Sequence, residues 1–253
     1  MALKIGEIKE RLAQTPVEER QAFIREFSQD ERTGVKKIVD QAKKSLEKLE
    51  AEKVRSSKLL SFERKYYPDY EFIGGIDEVG RGPFAGPVVT ACVILPKESP
   101  LLYINDSKKL SEGVREELYD QILKEAISVG FGIKEPEVID SVNILQATYL
   151  AMQEAVASMD PKPDLLLVDA VTIPNISMKQ VPIIHGDALS KTIGAASILA
   201  KVKRDHMMAA YDEVYPGYGF AKNKGYGTAE HIAALKKQGP CPIHRRSFIH
   251  DYI

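Results

Sequence analysis

Two carboxylates, Asp77 and Glu78, stand side by side in the run FIGGIDEVGRGP, and two more, Asp169 and Asp187, follow the apolar runs LLLV and VPII. Acids that end apolar runs in an α/β sheet face the crevice where ligands bind, whereas ordinary surface acids sit on helix faces and loops. Gathered together, such groups repel one another and raise each other's pKa, so the set calls for a compensating cation. Oxygen donors without a His/Cys set at zinc spacing suit Mg²⁺ or Mn²⁺. Two ions about 3.5 to 4 Å apart on shared carboxylates clamp a phosphodiester for attack by water, and no nucleophilic side chain is needed. The five histidines, His185, His206, His231, His244 and His250, are scattered and form no acid/base pair in sequence. His185 stays open as an accessory, two residues from Asp187.

Gly80-Arg81-Gly82 comes directly after the first two acids. It is no dinucleotide fingerprint, because the acids precede the glycines and no G-x-G-x-x-G spacing appears. Ser190-Lys191-Thr192 likewise lacks the upstream glycines of a phosphate loop. Glycines beside the acids make either a plain tight turn or a place where backbone approaches a ligand closely; for RNA, that approach allows pairing with a ribose 2′-OH. Farther on, Tyr215 to Phe220 and Lys222 to Thr228 form an aromatic, basic, glycine-rich stretch, suited to packing or to stacking on a sugar or base beside phosphates. His244-Arg245-Arg246 makes a second basic spot.

These groups need a framework. Short apolar runs at 72–77, 87–95, 127–133, 165–169 and 181–184 read as strands. Helices are expected from Ser111-Glu112, over 143–159, from Leu189 to about Tyr211, and from Thr228 to Gly239-Pro240. The first two strands, joined by a short Gly/Pro-rich link, pair as a hairpin, and the later ones alternate with helices, so the sheet is mixed. Residues 1–65 contain no convincing strand and form a helical N-terminal extension; the α/β domain covers 71–253. In the extension, Thr15-Pro16 with Glu18 and Glu19 starts one helix and Ser28 with Glu31 fits a capping box for the next. Val35, Val39, Ala42, Leu46 and Leu49 make one apolar stripe, expected to pack on the main body or a partner helix, while Lys36, Lys37, Lys43 and Lys44 leave a nucleic-acid clamp open.

A formal net charge of -1 argues against a protein that grips nucleic acid by bulk charge. No apolar run is long enough for a membrane span and the N-terminus carries charges where a signal peptide is apolar, so a cytoplasmic protein is expected. Cys92, inside VVTACVILP, reads as an inert buried thiol.

The blocks GIDEVGRGPFAGPVV, NDSKKLS, LLLVDA, HGDALSKTIGAASILAKVKRD, GYGTAEH and HRRSF, in that order over about residues 71–248, closely resemble the ribonuclease HII family, the type 2 RNase H enzymes. The resemblance implies an RNase H-like fold, Mn²⁺ or Mg²⁺ dependence, and catalysis and metal binding by Asp77, Glu78, Asp169 and Asp187. It implies substrate recognition by Gly80, Arg81 and Gly82, stacking by Tyr226, phosphate contacts by Lys108 or Lys109, and, counted with the substrate-binding residues, support of the acids or backbone by Arg204. The implied substrates are RNA/DNA hybrids and DNA duplexes containing ribonucleotides, cut on the 5′ side of the ribonucleotide to leave 3′-hydroxyl and 5′-phosphate ends, by a monomer. Gly227 departs from the family's GYPT pattern, which implies a less rigid tyrosine loop. Arg81 within GRG favours type HII over the sister type HIII, which cuts long hybrids only.

Overall fold

A computed structural model of the chain describes residues 3–253, which divide into two compact units, the first ending at Lys58 and the second running Leu59–Ile253. The first holds helices α1 (Ile5–Gln14), α2 (Arg20–Phe27) and α3 (Thr33–Lys58). Val35, Val39 and Ala42 of the apolar stripe are buried with Ile38, and they pack with Leu46 against Ile8 and Leu12 of α1 and Phe23, Ile24 and Phe27 of α2. Of the two alternatives, main body or partner helix, the second holds for Val35, Val39, Ala42 and Leu46, which α1 and α2 cover. The Ser28 and Glu31 capping box does not form either. Ser28 instead donates back to the Arg25 carbonyl at the end of α2, and Asp30 accepts from the Arg32 backbone N–H just before α3.

The second unit opens with α4 (Ser61–Tyr66) and is built on five strands: β1 (Ile73–Val79), β2 (Val88–Ile94), β3 (Ser128–Lys134), β4 (Leu165–Asp169) and β5 (Lys179–Ile183). The sheet order is β3-β2-β1-β4-β5. β1 to β3 form an antiparallel meander, and β4 and β5 add in parallel beyond β1, so the sheet is mixed as the spacing of the runs predicts. Between and after the strands come α5 (Glu112–Glu125), α6 (Pro136–Val142), α7 (Ile144–Ala157), α8 (Gly186–Leu189), α9 (Lys191–Val214), α10 (Phe220–Asn223), α11 (Ala229–Gln238) and α12 (Arg246–Ile249). Ser111, Asn143, Ser190 and Thr228 cap their helices through side-chain oxygens. Among the described residues, no helix is long and apolar enough to cross a membrane.

Alternation along β2 fixes the layers. Ala91 and Val93 face α9 and α5 in one core, with Leu118, Ile122, Ile198 and Leu199. Cys92 and Ile94 face α7 in the other, with Ile76, Met152 and Val168, and burial pushes the Cys92 thiol far up, as an inert apolar filler requires.

The first turn of α9 presses directly on β1. A Cβ at Gly75 would lie 2.2 Å from the Thr192 carbonyl carbon and 2.4 Å from the Ile193 nitrogen, so only glycine lets the helix approach. The same helix start is tied to α4. Glu63, buried, accepts at one carboxylate oxygen from the Ser190 hydroxyl (2.7 Å), the Thr192 hydroxyl (2.9 Å) and the Thr192 N–H (3.0 Å), while the Leu59 carbonyl accepts from the Lys191 N–H. These bonds explain why residues 59–65, which the sequence groups with the extension, cluster with the α/β unit. They also settle Ser190-Lys191-Thr192: all three are buried, and Lys191 donates to the Ser99 carbonyl, so the triplet starts a helix and cradles no phosphate.

Replacing Gly75 by alanine must push a backbone turn away from β1 and is expected to lower unfolding free energy by about 1 to 3 kcal/mol. Gly113→Ala, with open space around it in α5, is expected to be neutral or stabilising by up to about 1 kcal/mol. Urea denaturation of the two variants beside the parent checks the contrast, and equal midpoints would show that α9 does not bear on β1.

Candidate active site

β1 carries Asp77 and Glu78 at its C-terminal end, and β4, the parallel neighbour, ends on Asp169. Asp187 stands in α8, the short turn of helix after β5. It is therefore not a strand-end residue, although its run delivers it to the same edge. Asp77 is 7% exposed, and its Oδ1 accepts from the Glu78 N–H at 2.7 Å. Burial raises its pKa well above the usual carboxylate range, helped by Glu78 and Asp169 and opposed by the Ser197 hydroxyl on α9. Ser197 in turn meets the Ser107 hydroxyl at 3.0 Å.

Glu78 is also raised by burial, against the pull of Arg81, whose guanidinium donates to it at 3.2 Å. Asp169 accepts from the Gly186 N–H at 2.7 Å, so the backbone that leads into α8 is pinned to the end of β4. Asp187 is raised by burial, by Asp106 and by Asp169, and lowered by Lys108. Asp77, Glu78 and Asp187 thus each feel the charge of Asp169, across three chain segments. Among the described residues, no three acidic, imidazole or thiol groups stand close enough to enclose an ion as the side chains lie. The donor set is nevertheless all oxygen and mutually repulsive, and that chemistry fits a hard divalent cation.

Asp106 is a residue that sequence reasoning missed. It caps the Ser107–Lys109 turn by accepting from the Lys108 N–H, lies 3.8 Å from the Lys109 ammonium, and bears on Asp187. Its presence in NDSKKLS, just before the two lysines, was the available signal. Lys108 and Lys109 themselves are exposed. His185, exposed, precedes α8 in the left-handed backbone region.

The chain from Gly80 to Pro87 joins β1 to β2 and is held from beneath by two buried arginines. Arg204 of α9 donates to the carbonyls of Pro87 (2.9 Å), Lys224 (2.8 Å) and Ala85 (3.0 Å). Arg245 donates to those of Gly86 (2.9 Å), Arg81 (2.9 Å) and Gly80 (2.5 Å). Both guanidiniums are fully buried, and desolvation lowers Arg204 to about 10 and Arg245 to about 9, which leaves them charged at neutral pH. Two expectations are corrected here. Arg204 is no substrate contact, since it supports the loop's own backbone, and His244-Arg245-Arg246 is no surface basic spot, since only Arg246 of the three is exposed. Gly80 has φ +90°, and a Cβ on it would strike Arg204 Nε at 2.3 Å, so glycine is required for this seating.

The tyrosine loop lies against the same chain. The N–H groups of Phe84 and Ala85 donate to the Gly225 carbonyl, and the Tyr226 ring passes 3.8 Å from where a Gly82 Cβ would be. Tyr226 is 46% exposed. Gly227 is explained by Phe84, whose ring would lie 2.3 Å from a Cβ there, so an aromatic contact fills the space a proline ring would take. The loop is held by that packing.

Residues 74–251 match the family model described as Ribonuclease HII, and residues 4–67 match its Ribonuclease HII N-terminal domain. A ribonuclease HII of Lachnoclostridium phytofermentans is 58% identical over 223 residues, covering 88% of this chain and 87% of that protein. One from Latilactobacillus sakei is 52% identical over 247 residues, covering 98% and 96%. Among solved structures, ribonuclease H2 from Pyrococcus horikoshii superposes with a TM-score of 0.60 at 26% identity, covering 72% of this chain and 97% of that one. Carboxylates from three segments at one sheet edge, a clamped glycine turn beside them, and matches that span nearly the whole length place this chain in the ribonuclease HII family, whose members are RNase H endonucleases acting on RNA/DNA substrates.

Proposed function

We propose that this chain cuts duplex DNA on the 5′ side of an embedded ribonucleotide, as well as the RNA strand of hybrids, with Asp77, Glu78, Asp169 and Asp187 holding the ion. The observation that carries the reading is the juxtaposition of these acids with the Gly80 to Gly82 turn and the Tyr226 ring. The family uses divalent metals. When bound, Mg²⁺ or Mn²⁺ supplies positive charge to the scissile phosphate and its leaving oxygen.

The remaining work falls to the chain. The four carboxylates position the ion, and Arg81 leaves Glu78 when substrate phosphate offers a competing partner. Backbone groups of Gly80, Arg81 and Gly82 meet the ribose 2′-OH, which distinguishes RNA from DNA at that sugar. The ring of Tyr226 stacks on the next nucleotide, and Lys108 and Lys109 meet phosphates of the strand. Water attacks phosphorus, the bond to the 3′ oxygen breaks, and the products carry 3′-hydroxyl and 5′-phosphate ends. The role is removal of misincorporated ribonucleotides and primer remnants, by a monomer in the cytoplasm.

A labelled DNA duplex with one ribonucleotide, beside an all-DNA control, tests the assignment. Cutting 5′ of the ribonucleotide is expected with Mn²⁺, none with EDTA, and none in the control. Asp77→Asn should lower kcat on the order of 10²-fold to 10³-fold, the scale for losing one group that stabilises transition-state charge. Cutting of long hybrids alone would point instead to type HIII specificity.

Ion binding should also follow pH. Because Asp77, Glu78 and Asp187 are raised in the folded chain, it binds more protons there than the unfolded chain does between the unfolded and folded pKa values. In that window these groups reduce stability as pH rises, and a cation that displaces the protons restores more at the upper end. Melting curves are expected to show Mn²⁺ raising Tm more at about pH 8 than at about pH 5.5, with the increment reduced in Asp77→Asn. An increment independent of pH would place the ion elsewhere.

A further inference from the structure

Beneath the tyrosine loop, two imidazoles form a buried chain that the reaction above does not use. His231 of α11 is fully buried, and its Nδ1 lies 2.9 Å from the Tyr226 carbonyl. Its Nε2 lies 3.0 Å from Nε2 of His244, which is 2% exposed. Nδ1 of His244 lies 3.0 Å from the Cys241 backbone nitrogen, 3.1 Å from its Sγ and 3.3 Å from its carbonyl oxygen. The rings of Tyr218 and Phe220 pack against both imidazoles.

The Tyr226 end of this chain fixes the protons along it. The Tyr226 carbonyl only accepts, so His231 carries its proton on Nδ1. A neutral His231 then offers a lone pair at Nε2, and His244 must donate from its own Nε2. That leaves Nδ1 of His244 to accept from the Cys241 N–H. The reverse direction would set a bare nitrogen 2.9 Å from the carbonyl oxygen of Tyr226. Burial lowers both imidazoles, His244 to about 4, in keeping with a neutral pair at physiological pH.

We propose that His231 and His244 are positioning residues for substrate recognition: their directed hydrogen bonds hold the Tyr226 backbone so that its ring stands over Gly82 at the stacking position. The same segment anchors the other half of the reader. Arg245, the next residue after His244, donates its N–H to the Phe84 carbonyl and its guanidinium to Gly80, Arg81 and Gly86. The glycine turn and the tyrosine are thereby referred to one two-residue anchor, His244-Arg245, so that their spacing is set from inside. This inference rests on the reading of Tyr226 as a substrate contact.

Steady-state cutting of the single-ribonucleotide duplex, with Mn²⁺ and the full chain, tests it by a double-mutant cycle. His231→Leu removes the bond to Tyr226 and is expected to raise KM about tenfold, the size of a lost stacking contact, with kcat changed less than KM. His231→Asn, which keeps a donor near the Nδ1 position, should return most of the KM. In a Tyr226→Ala background, where no ring remains to be positioned, His231→Leu should add nothing. A His231→Leu penalty that adds in full there would overturn the inference while leaving the Tyr226 reading intact. A Tyr226→Ala variant with unchanged KM would remove that reading, and this inference with it. Should the leucine variant fail to fold, ¹⁵N NMR of the parent decides: protons on His231 Nδ1 and His244 Nε2 are expected at neutral pH, and the opposite tautomers or a charged ring would refute the proposal.

Discussion

Two buried guanidiniums satisfied by peptide carbonyls are the constraint on which the rest of this site depends. Isolated charge is costly to bury, and an ion pair repays the cost only with good geometry. Here Arg204 and Arg245 direct six hydrogen bonds to carbonyl oxygens of Gly80, Arg81, Ala85, Gly86, Pro87 and Lys224. The carbonyls gain as much as the arginines do. A loop that turns its oxygens inward would leave them orphaned beneath the surface, and each unmade bond would cost about 1 to 3 kcal/mol. Loop and arginines are thus stable only together, and the turn after the acids is as rigid as a strand without being one.

Helix α9 links this clamp to the acids. Its first turn bears on Gly75, its second turn brings Ser197 beside Asp77, and farther along it supplies Arg204. A single rigid rod therefore fixes both the height of the β1 carboxylates and the seat of the glycine turn. Glu63 stiffens its start by meeting N-terminal donors of the helix, where a negative charge also suits the macrodipole. The approach is close because the residues at the contact are small: Gly75 on β1 lies against the first turn of α9, and Ala195 and Ala196 of the helix share a core with Ala91 of β2.

What could be read from sequence divides by the range of the interaction. β4 begins and ends where the run LLLVD does, and Ser111, Asn143 and Thr228 cap helices as their types suggest, because apolar alternation and capping are local. The acids were legible for the same reason, each following an apolar run. The fate of the basic residues was not. Arg245 looks like part of a solvated cluster in HRRSF, and nothing within ten residues reveals that its acceptors lie more than 150 positions earlier. Glu63 poses the same difficulty, with partners 127 and 129 positions away. The stripe from Val35 to Leu46 was correctly seen as apolar, yet pattern alone does not say which surface covers it, and α1 and α2 do.

The order of residues along β1 carries a consequence for where the strand is cut. Glu78 and Gly80 are separated by one residue, so the reader of the sugar and the holder of the ion lie within about 7 Å along the chain, two residues at roughly 3.3 to 3.6 Å each. No hinge can form between them, because Glu78 is still within β1 and Gly80 is already under Arg245. Under the proposed reading, the bond presented to the ion is then the one next to the sugar being read, whatever the sequence of bases. Selectivity for position thereby follows from a covalent spacing, and the arginine clamp and the histidine pair preserve it by keeping either side of the turn from drifting.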